Sequence, residues 1–394
     1  MLPITSTRPE PGLRAPVRVE RIQDAGAFAA IRGEWNDLVR DSRADSVFLT
    51  WEWLHACWTA FGDGATLEVV LVRADRDLIA AAPLQRARTS LPWLTRLEFL
   101  GLGFAGSDYL DVIVRRGWED EALPAIETAL ERENRAVRFD HLASDSMAAV
   151  LADHLAASGW TAIASASGTC PFIPLRGHTW DSYLAIVGPA HRANFRRRLR
   201  TLSRDHELRF DCVTTEAARE ESLRALIRLH NQRWDVRGGS TAFATPACRA
   251  FHDEATRRML DAGWLRLYVL RLNDTAVAAT YCFAFNGRTY FYQGAFDEEF
   301  RRHSVGMVAM GLTIQAAIDE GAHEFDLLYG VESYKALWAR DTRPLHRLDL
   351  FPADVAGRLH RHTVTAERAV RRLARRIIQR RIWNSNAPRA GAAC

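Results

Sequence analysis

Lysine is all but missing from this 394-residue chain: 51 of its 52 basic residues are arginine, and Lys335 stands alone. An ammonium and a planar guanidinium are not interchangeable, so a single retained lysine marks a position to follow. Paired cysteines are missing too. The six cysteines (Cys57, Cys170, Cys212, Cys248, Cys282 and Cys394) are scattered and never form a CxxC pair, which argues against a zinc knuckle or a disulfide framework and for a reducing compartment. No group of His, Cys and carboxylates has ligand spacing, so no metal is expected. The longest mostly apolar stretch, residues 306–318, contains Thr313 and Gln315 and is too short to cross a bilayer. With no signal-like segment at the start, the expectation is a cytoplasmic protein. What is present, 48% hydrophobic and 25% charged residues, is the composition of a folded chain. The length suits two domains.

The net charge of +4 hides an asymmetry. After Pro352, ten Arg face two acids, a tail of +8 that leaves the preceding residues at −4. Within the tail, 352–394, Val370, Leu373 and Ile377 recur at spacings of three and four. Arg368, Arg371, Arg372, Arg375, Arg376 and Arg380 fill most other positions, the pattern of a basic amphipathic helix. Such a helix suits contact with a membrane surface, placing the protein at the inner membrane face, with RNA or with a partner protein; a solvated helix packed on its own domain is the alternative. No DNA partner is expected.

A repeat organises the remainder. Residues 67–84 (LEVVLVRADRDLIAAAPL) align without gaps on 265–282 (LRLYVLRLNDTAVAATYC), with Leu67/Leu265, Arg73/Arg271, Ala80/Ala278 and Ala81/Ala279 identical. Each copy reads as a β-hairpin turning at Asp75 or Asn273. Each follows a helix introduced by a Phe-x-Thr pair, Phe48 with Thr50 and Phe243 with Thr245, the threonines being candidate N-caps. Strands are expected over 95–100, 109–114, 136–142, 289–296, 324–328 and 345–351. Helices are expected over 118–133, 146–158, 179–187, 191–204, 306–320 and 334–339. The fold class is therefore α/β (α+β), with a mixed sheet flanked by helices in each of two domains, 17–175 and 176–351.

Two glycine-containing loops invite a ligand. Gly101 to Gly106 spells GxGxxG after a strand, but Ser107 to Val114 reads as turn and strand where a dinucleotide site needs a helix. The better reading is a turn beside a substrate cleft, with Ser107, Asp108, Tyr109 and Asp111 as acceptor-binding candidates. Trp35, Trp51, Trp53, Trp58 and Trp93 lie in the same half and suit core packing, or stacking on sugar rings. In the other half, the strand 289–296 runs through Arg301-Arg302-His303-Ser304-Val305-Gly306 into a helix. Basic side chains, small residues and unpaired helix amides together make an anion site.

This second loop resembles the pyrophosphate loop of GNAT acyltransferases, Gln/Arg-x-x-Gly-x-Gly/Ala, with Arg301, Ser304 and Gly306 at the signature positions and Ser304 replacing the usual glycine. The run 324–335 (EFDLLYGVESYK) resembles the closing segment of the CelD-like (BioF-associated) acetyltransferase group, relatives of the FemABX aminoacyl transferases. In that group a strand ending in Asp and Gly leads to a Tyr-Lys pair, and the chain's only lysine falls on it. The SDYLD segment and the Arg-rich stretch 191–204 are also similar to that group.

The resemblance implies two tandem GNAT-like domains over about 17–351. The second would transfer an acyl group from acyl-CoA, acetyl-CoA first, to an amine or hydroxyl of a small-molecule or saccharide acceptor, for instance in envelope polysaccharide synthesis. It places the pantetheine arm on Tyr292, Gln293, Gly294 and Ala295, and the pyrophosphate on Arg301, Arg302, Ser304, Val305 and Gly306. Asp326 and Glu332 are then candidate bases, Tyr329 and Tyr334 candidate acids, and Lys335 a cation for developing charge. Each also has a structural reading: a strand-end cap for Asp326, core packing for Tyr334, an ion pair with Glu332 for Lys335. The first domain has no such loop and is expected to bind acceptor instead. An aminoacyl-tRNA donor and a non-catalytic scaffold of a polysaccharide assembly are the alternatives.

Overall fold

The computed structural model describes residues 16–89, 93–235, 240–367 and 369. The amphipathic tail pattern from Arg368 through Val370, Leu373 and Ile377 to Arg380 lies outside these residues. The first half begins with β1 (Val17–Ile22), α1 (Ala25–Ala30), α2 (Arg32–Arg40) and α3 (Trp51–Phe61). It continues through β2 (Thr66–Leu67), β3 (Val69–Ala74), β4 (Asp77–Ala82), β5 (Leu84–Arg88), β6 (Thr95–Phe99) and β7 (Ile113–Val114). Then come α4 (Glu119–Glu133), β8 (Val137–Leu142), α5 (Met147–Ala157) and β9 (Thr161–Pro174). The second half contains α6 (Trp180–Val187), α7 (Pro189–Asp205), β10 (Leu208–Cys212), α8 (Glu216–Asp235), α9 (Pro246–Asp261), β11 (Leu265–Leu272) and β12 (Thr275–Phe285). It closes with β13 (Arg288–Phe296), α10 (Val305–Asp319), β14 (Glu324–Asp326) and β15 (Asp341–Phe351).

The sequence repeat is a structural one. β1 pairs antiparallel with the β3–β4 hairpin, and β10 pairs antiparallel with the β11–β12 hairpin. Asp75 (φ 51°) and Asn273 (φ 49°) both turn in the left-handed region, which their short polar side chains tolerate. A β-bulge interrupts both hairpins at equivalent positions, between Val72 and Arg73 and between Leu270 and Arg271. Each half also carries a parallel strand pair joined through a helix, β6–α4–β8 and β13–α10–β14. Of the two expected caps, Thr245 accepts from the Cys248 amide. The Thr50 hydroxyl instead donates to the Val47 carbonyl.

The sheets depart from one per half. A four-stranded sheet has the order β1-β3-β4-β7; an eleven-stranded sheet runs β10-β11-β12-β13-β14-β9-β15-β8-β6-β5-β2. Its centre is crossed by the chain: β15, from the second half, inserts between β9 and β8 of the first and pairs with β9 from Asp341↔Phe172 to Phe351↔Thr161. Burying β15 on both edges fuses the halves through backbone hydrogen bonds that no local pattern announces. The expected strand at 109–114 shrinks to Ile113–Val114, because Tyr109 sits at φ 54° and turns the chain. The expected helix at 334–339 is a single 3₁₀ turn, Lys335–Leu337.

Aromatic packing joins the halves. Trp53 of α3 lies fully buried, edge-on to Phe251, Phe283 and Tyr292 of the second half. Trp35 and Trp51 are buried and donate to the Leu49 and Phe28 carbonyls, so core packing accounts for them, while Trp93 is exposed. Among the described residues, no helix is long and apolar enough to cross a membrane.

Candidate active site

The site begins where two strands part. β13 and β14 run parallel through Arg288↔Glu324, Thr289↔Phe325 and Tyr290↔Asp326, and there β14 ends. The chain turns toward β9, Leu327 donating to the Pro171 carbonyl, with Leu328 in the left-handed region at φ 56°. β13 continues to Phe296, so its edge from Phe291 onward has no β14 neighbour. Tyr292 is the extra residue of a bulge against β12, where Tyr281 faces Gln293 and Cys282 faces Phe291. Its side chain belongs to the core, since the ring packs on Trp53 and Tyr281 and the hydroxyl donates to the Ala105 carbonyl at 2.9 Å. Only its backbone is available to a ligand.

β13 feeds through a short 3₁₀ turn into α10. Ser304 caps that helix in the left-handed conformation (φ 58°, ψ 37°), the geometry a glycine would take. A Cβ on Gly306 would lie 2.8 Å from the Phe296 ring, so glycine is required there for close packing. No acid occupies the first turn of α10. Arg301 is 69% exposed, 3.7 Å from Glu298. The Arg302 carbonyl is held by Arg198 of α7 at 2.9 Å. The corresponding helix of the first half, α4, opens with Glu119, Asp120 and Glu121, and such a turn repels anions. The expected donor residues thus fall on adjoining segments of one half, with Tyr292 reassigned to packing.

Beside the parting strands, Asp326 is fully buried. It accepts from the Tyr109 hydroxyl at 2.6 Å, the Leu328 amide at 2.7 Å and Arg343 at 3.0 Å. Burial outweighs these donors and pushes its carboxyl up to about 6. Arg343, on β15, also pairs with Glu324 at 3.0 Å and lies over the rings of Phe172 and Tyr109. Asp326, Tyr109 and Arg343 line a cavity of about 170 Å³ with Arg43, Asp45, Arg288 and Tyr290. Tyr109 belongs to the first half and Asp326 to the second, so the loop after β6 completes the site.

The neighbouring Asp108 carries a second connection. One carboxylate oxygen accepts from His141 Nδ1 at 2.7 Å and the other from the Tyr329 amide at 2.8 Å. His141 sits near the end of β8 at φ 57°, its ring 5.7 Å from that of Tyr329. Sequence reasoning missed it; an isolated histidine in a strand of mixed polarity gives no signal until the fold brings Asp108 to it.

Two acceptor candidates have structural roles. Asp111 caps α5, accepting from the Met147 and Ala148 amides as well as its neighbour Val112, with burial pushing it up to about 7. Ser107 accepts from the buried Trp53 indole and donates to the Gly101 carbonyl. Lys335 is buried, and its three ammonium hydrogens reach the Tyr329 carbonyl (2.7 Å), the Leu328 carbonyl (3.2 Å) and Glu332 (3.0 Å). It clamps the loop after β14 and has no donor left for a reacting group. Glu332 is engaged by that clamp. Burial raises the Tyr334 phenol, while the Tyr329 ring stands half exposed at the lip. Among the described residues, no cluster could hold a metal ion.

Residues 189–336 match the family model described as an acetyltransferase (GNAT) domain. The crystal structure of FemX superposes with a TM-score of 0.60 at 12% identity, covering 84% of this chain and 96% of that one. A conserved protein of unknown function from Bacteroides thetaiotaomicron gives 0.54 at 11% identity, covering 84% and 100%. L-PGS from Bacillus licheniformis gives 0.51 at 14%, covering 83% and 91%. At such identities the likeness is one of fold. No curated protein matches the chain.

Proposed function

From the premise that residues 189–336 form a GNAT acetyltransferase domain, we propose that this acyltransferase moves an acyl group, acetyl first, from acyl-CoA to an amine or hydroxyl of a small-molecule or saccharide acceptor. The observation that carries the reading is the parting of β13 from β14 after Tyr290 and Asp326, beside a helix N-terminus free of acids. An extended pantetheine arm pairs with the open edge of β13 as an added strand would, through backbone groups of Phe291 to Ala295. The pyrophosphate then lies at the start of α10, where Val305 and Gly306 offer amides and Arg301 and Arg302 offer charge. The acceptor enters from the side of Tyr109 and Asp326, where Arg43 stands exposed at the cavity.

Calorimetric titration with acetyl-CoA and a longer acyl-CoA tests this. The Arg301→Ala/Arg302→Ala double variant removes two exposed side chains and leaves the fold intact. Its affinity should fall about tenfold or more, since charge-assisted contacts to phosphate contribute about 1.5–3 kcal/mol each. Absence of binding by the wild type would sink the acyl-CoA donor.

One observation favours a second reading. Arg196, Arg197 and Arg200 lie exposed on α7, the helix that grips the donor loop through Arg198, and extend the basic surface beyond what one pyrophosphate needs. An aminoacyl-tRNA donor suits that extension. Steeply salt-dependent RNA binding without acyl-CoA affinity would support it.

A further inference from the structure

Acyl transfer needs a group to take the proton of the attacking amine or hydroxyl, and most carboxylates around the site are engaged. Asp326 is fully buried under three donors, Glu332 is tied to Lys335, and Asp111 caps a helix. The Cys170 thiol is buried and pushed far up by that burial. His252 is enclosed among Phe243, Phe251 and Tyr281, and burial lowers it to about 3. His141 differs in that its partner engages only one of its two ring nitrogens.

A carboxylate can only accept, so the 2.7 Å contact with Asp108 puts the proton of the neutral imidazole on Nδ1 and leaves a lone pair on Nε2. Nε2 makes no hydrogen bond among the described residues, and the side chain is 24% exposed. Its backbone is locked as well: the His141 amide donates to Asp140, whose carboxylate is held by Arg347 and Ser167. A left-handed backbone at a non-glycine residue costs about 1 kcal/mol or more, and here it directs the ring to the Tyr329 lip instead of along the strand. Asp108 is in turn fixed by the Tyr329 amide, at the loop that follows Asp326.

We infer that His141, oriented by Asp108, is the base that takes the proton from the acceptor, so that the first half supplies proton transfer to a reaction whose donor the second half holds. This rests on the acyltransferase reading above. In the step, Nε2 takes the proton from the acceptor N–H or O–H, and the freed pair forms a bond to the thioester carbonyl carbon. The C–S bond breaks with its pair on sulfur. The imidazolium returns the proton to the thiolate, giving acylated acceptor and free CoA thiol. The groups facing His141 are Asp108, Asp140, Arg347 and Tyr329, and the Cys170 thiol lies against Asp108. Burial and Arg347 disfavour the imidazolium, but the Asp108 hydrogen bond and charge, with Asp140, outweigh them and raise its pKa above the ordinary value.

Three readouts on the intact protein test the inference: acetyl-CoA binding by calorimetry, CoA thiol release from acetyl-CoA with water or ethanolamine as acceptor, and the His141 ring nitrogens by ¹⁵N NMR. His141→Gln should bind acetyl-CoA within about twofold of wild type and release CoA about 100-fold more slowly, the scale of general-base catalysis. Asp108→Asn should keep part of the turnover and move the acid limb of its pH profile downward. The wild-type ring should carry its proton on Nδ1 and titrate above 6.5. Turnover by His141→Gln within threefold of wild type, or an unmoved acid limb in Asp108→Asn, would overturn the dyad alone. So would a His141 ring that is protonated on Nε2 or does not titrate, whatever the turnover. Failure of the wild type to bind acetyl-CoA would remove the donor assignment and this inference with it.

Discussion

Replacing Lys335 by methionine keeps the length of the side chain and removes its ammonium. In the folded protein that ammonium is buried and holds two backbone carbonyls of the loop after β14, at 2.7 and 3.2 Å. A hydrogen bond from a charged group contributes about 1.5–3 kcal/mol. The loop is partly open to water, which recovers some of the loss when the bond goes. Glu332 is 56% exposed, so its part of the ion pair adds at most about 1 kcal/mol. The net expectation is a destabilisation of about 2–4 kcal/mol. With an unfolding entropy of about 2.1 cal/mol/K per residue, 3 kcal/mol lowers the Tm of a chain this long by about 4 °C if it unfolds as one unit. Lys335→Arg should also lose stability, because a planar fork cannot reach three convergent acceptors. Glu332→Gln should cost about 1 kcal/mol or less. Thermal unfolding of the three variants checks the ranking. A Lys335→Met protein melting within about 1 °C of wild type, or a Glu332→Gln protein falling further than it, would refute the clamp.

Other perturbations follow from the same geometry. Burial raises Asp326 from 3.8 to about 6, so its contribution to stability is complete below its unfolded value and is lost as pH rises through about 6. Asp326→Asn should flatten the stability curve between about pH 4 and 6, and urea melts across that window giving parallel curves would contradict this. Ser304→Val places a β-branched residue at φ 58° and should cost about 1–2 kcal/mol in thermal melts, whereas Ser304→Gly should be neutral or mildly stabilising. Ser107→Ala leaves the buried Trp53 indole N–H without its acceptor and should cost about 1–3 kcal/mol, read by denaturant unfolding. Acetyl-CoA should bind with a stoichiometry of one per chain, since the three acids opening α4 exclude a second pyrophosphate; a calorimetric value near two would contradict that reading.

Much of this protein was legible one segment at a time. The tandem repeat, the turns at Asp75 and Asn273, the Thr245 cap and the basic loop into α10 follow from local chemistry: left-handed tolerance, capping oxygens and hydrophobic period act between residues near in sequence. The mixed α/β class followed from the same signals. Tertiary structure alone decided the rest. Asp326 meets Tyr109 across 217 positions, His141 meets Asp108 because β8 lies parallel beside β6, and Asp108 in turn reaches the loop that follows β14 through the Tyr329 amide. The insertion of β15 between β9 and β8, which puts Arg343 over Asp326, rests on backbone hydrogen bonds indifferent to side-chain identity. Asp111 and Lys335, conspicuous as charged residues in a suggestive motif, proved to be a helix cap and a loop clamp. A buried charge must find partners, and which partners it finds depends on the packing around it, not on the motif in which it is written.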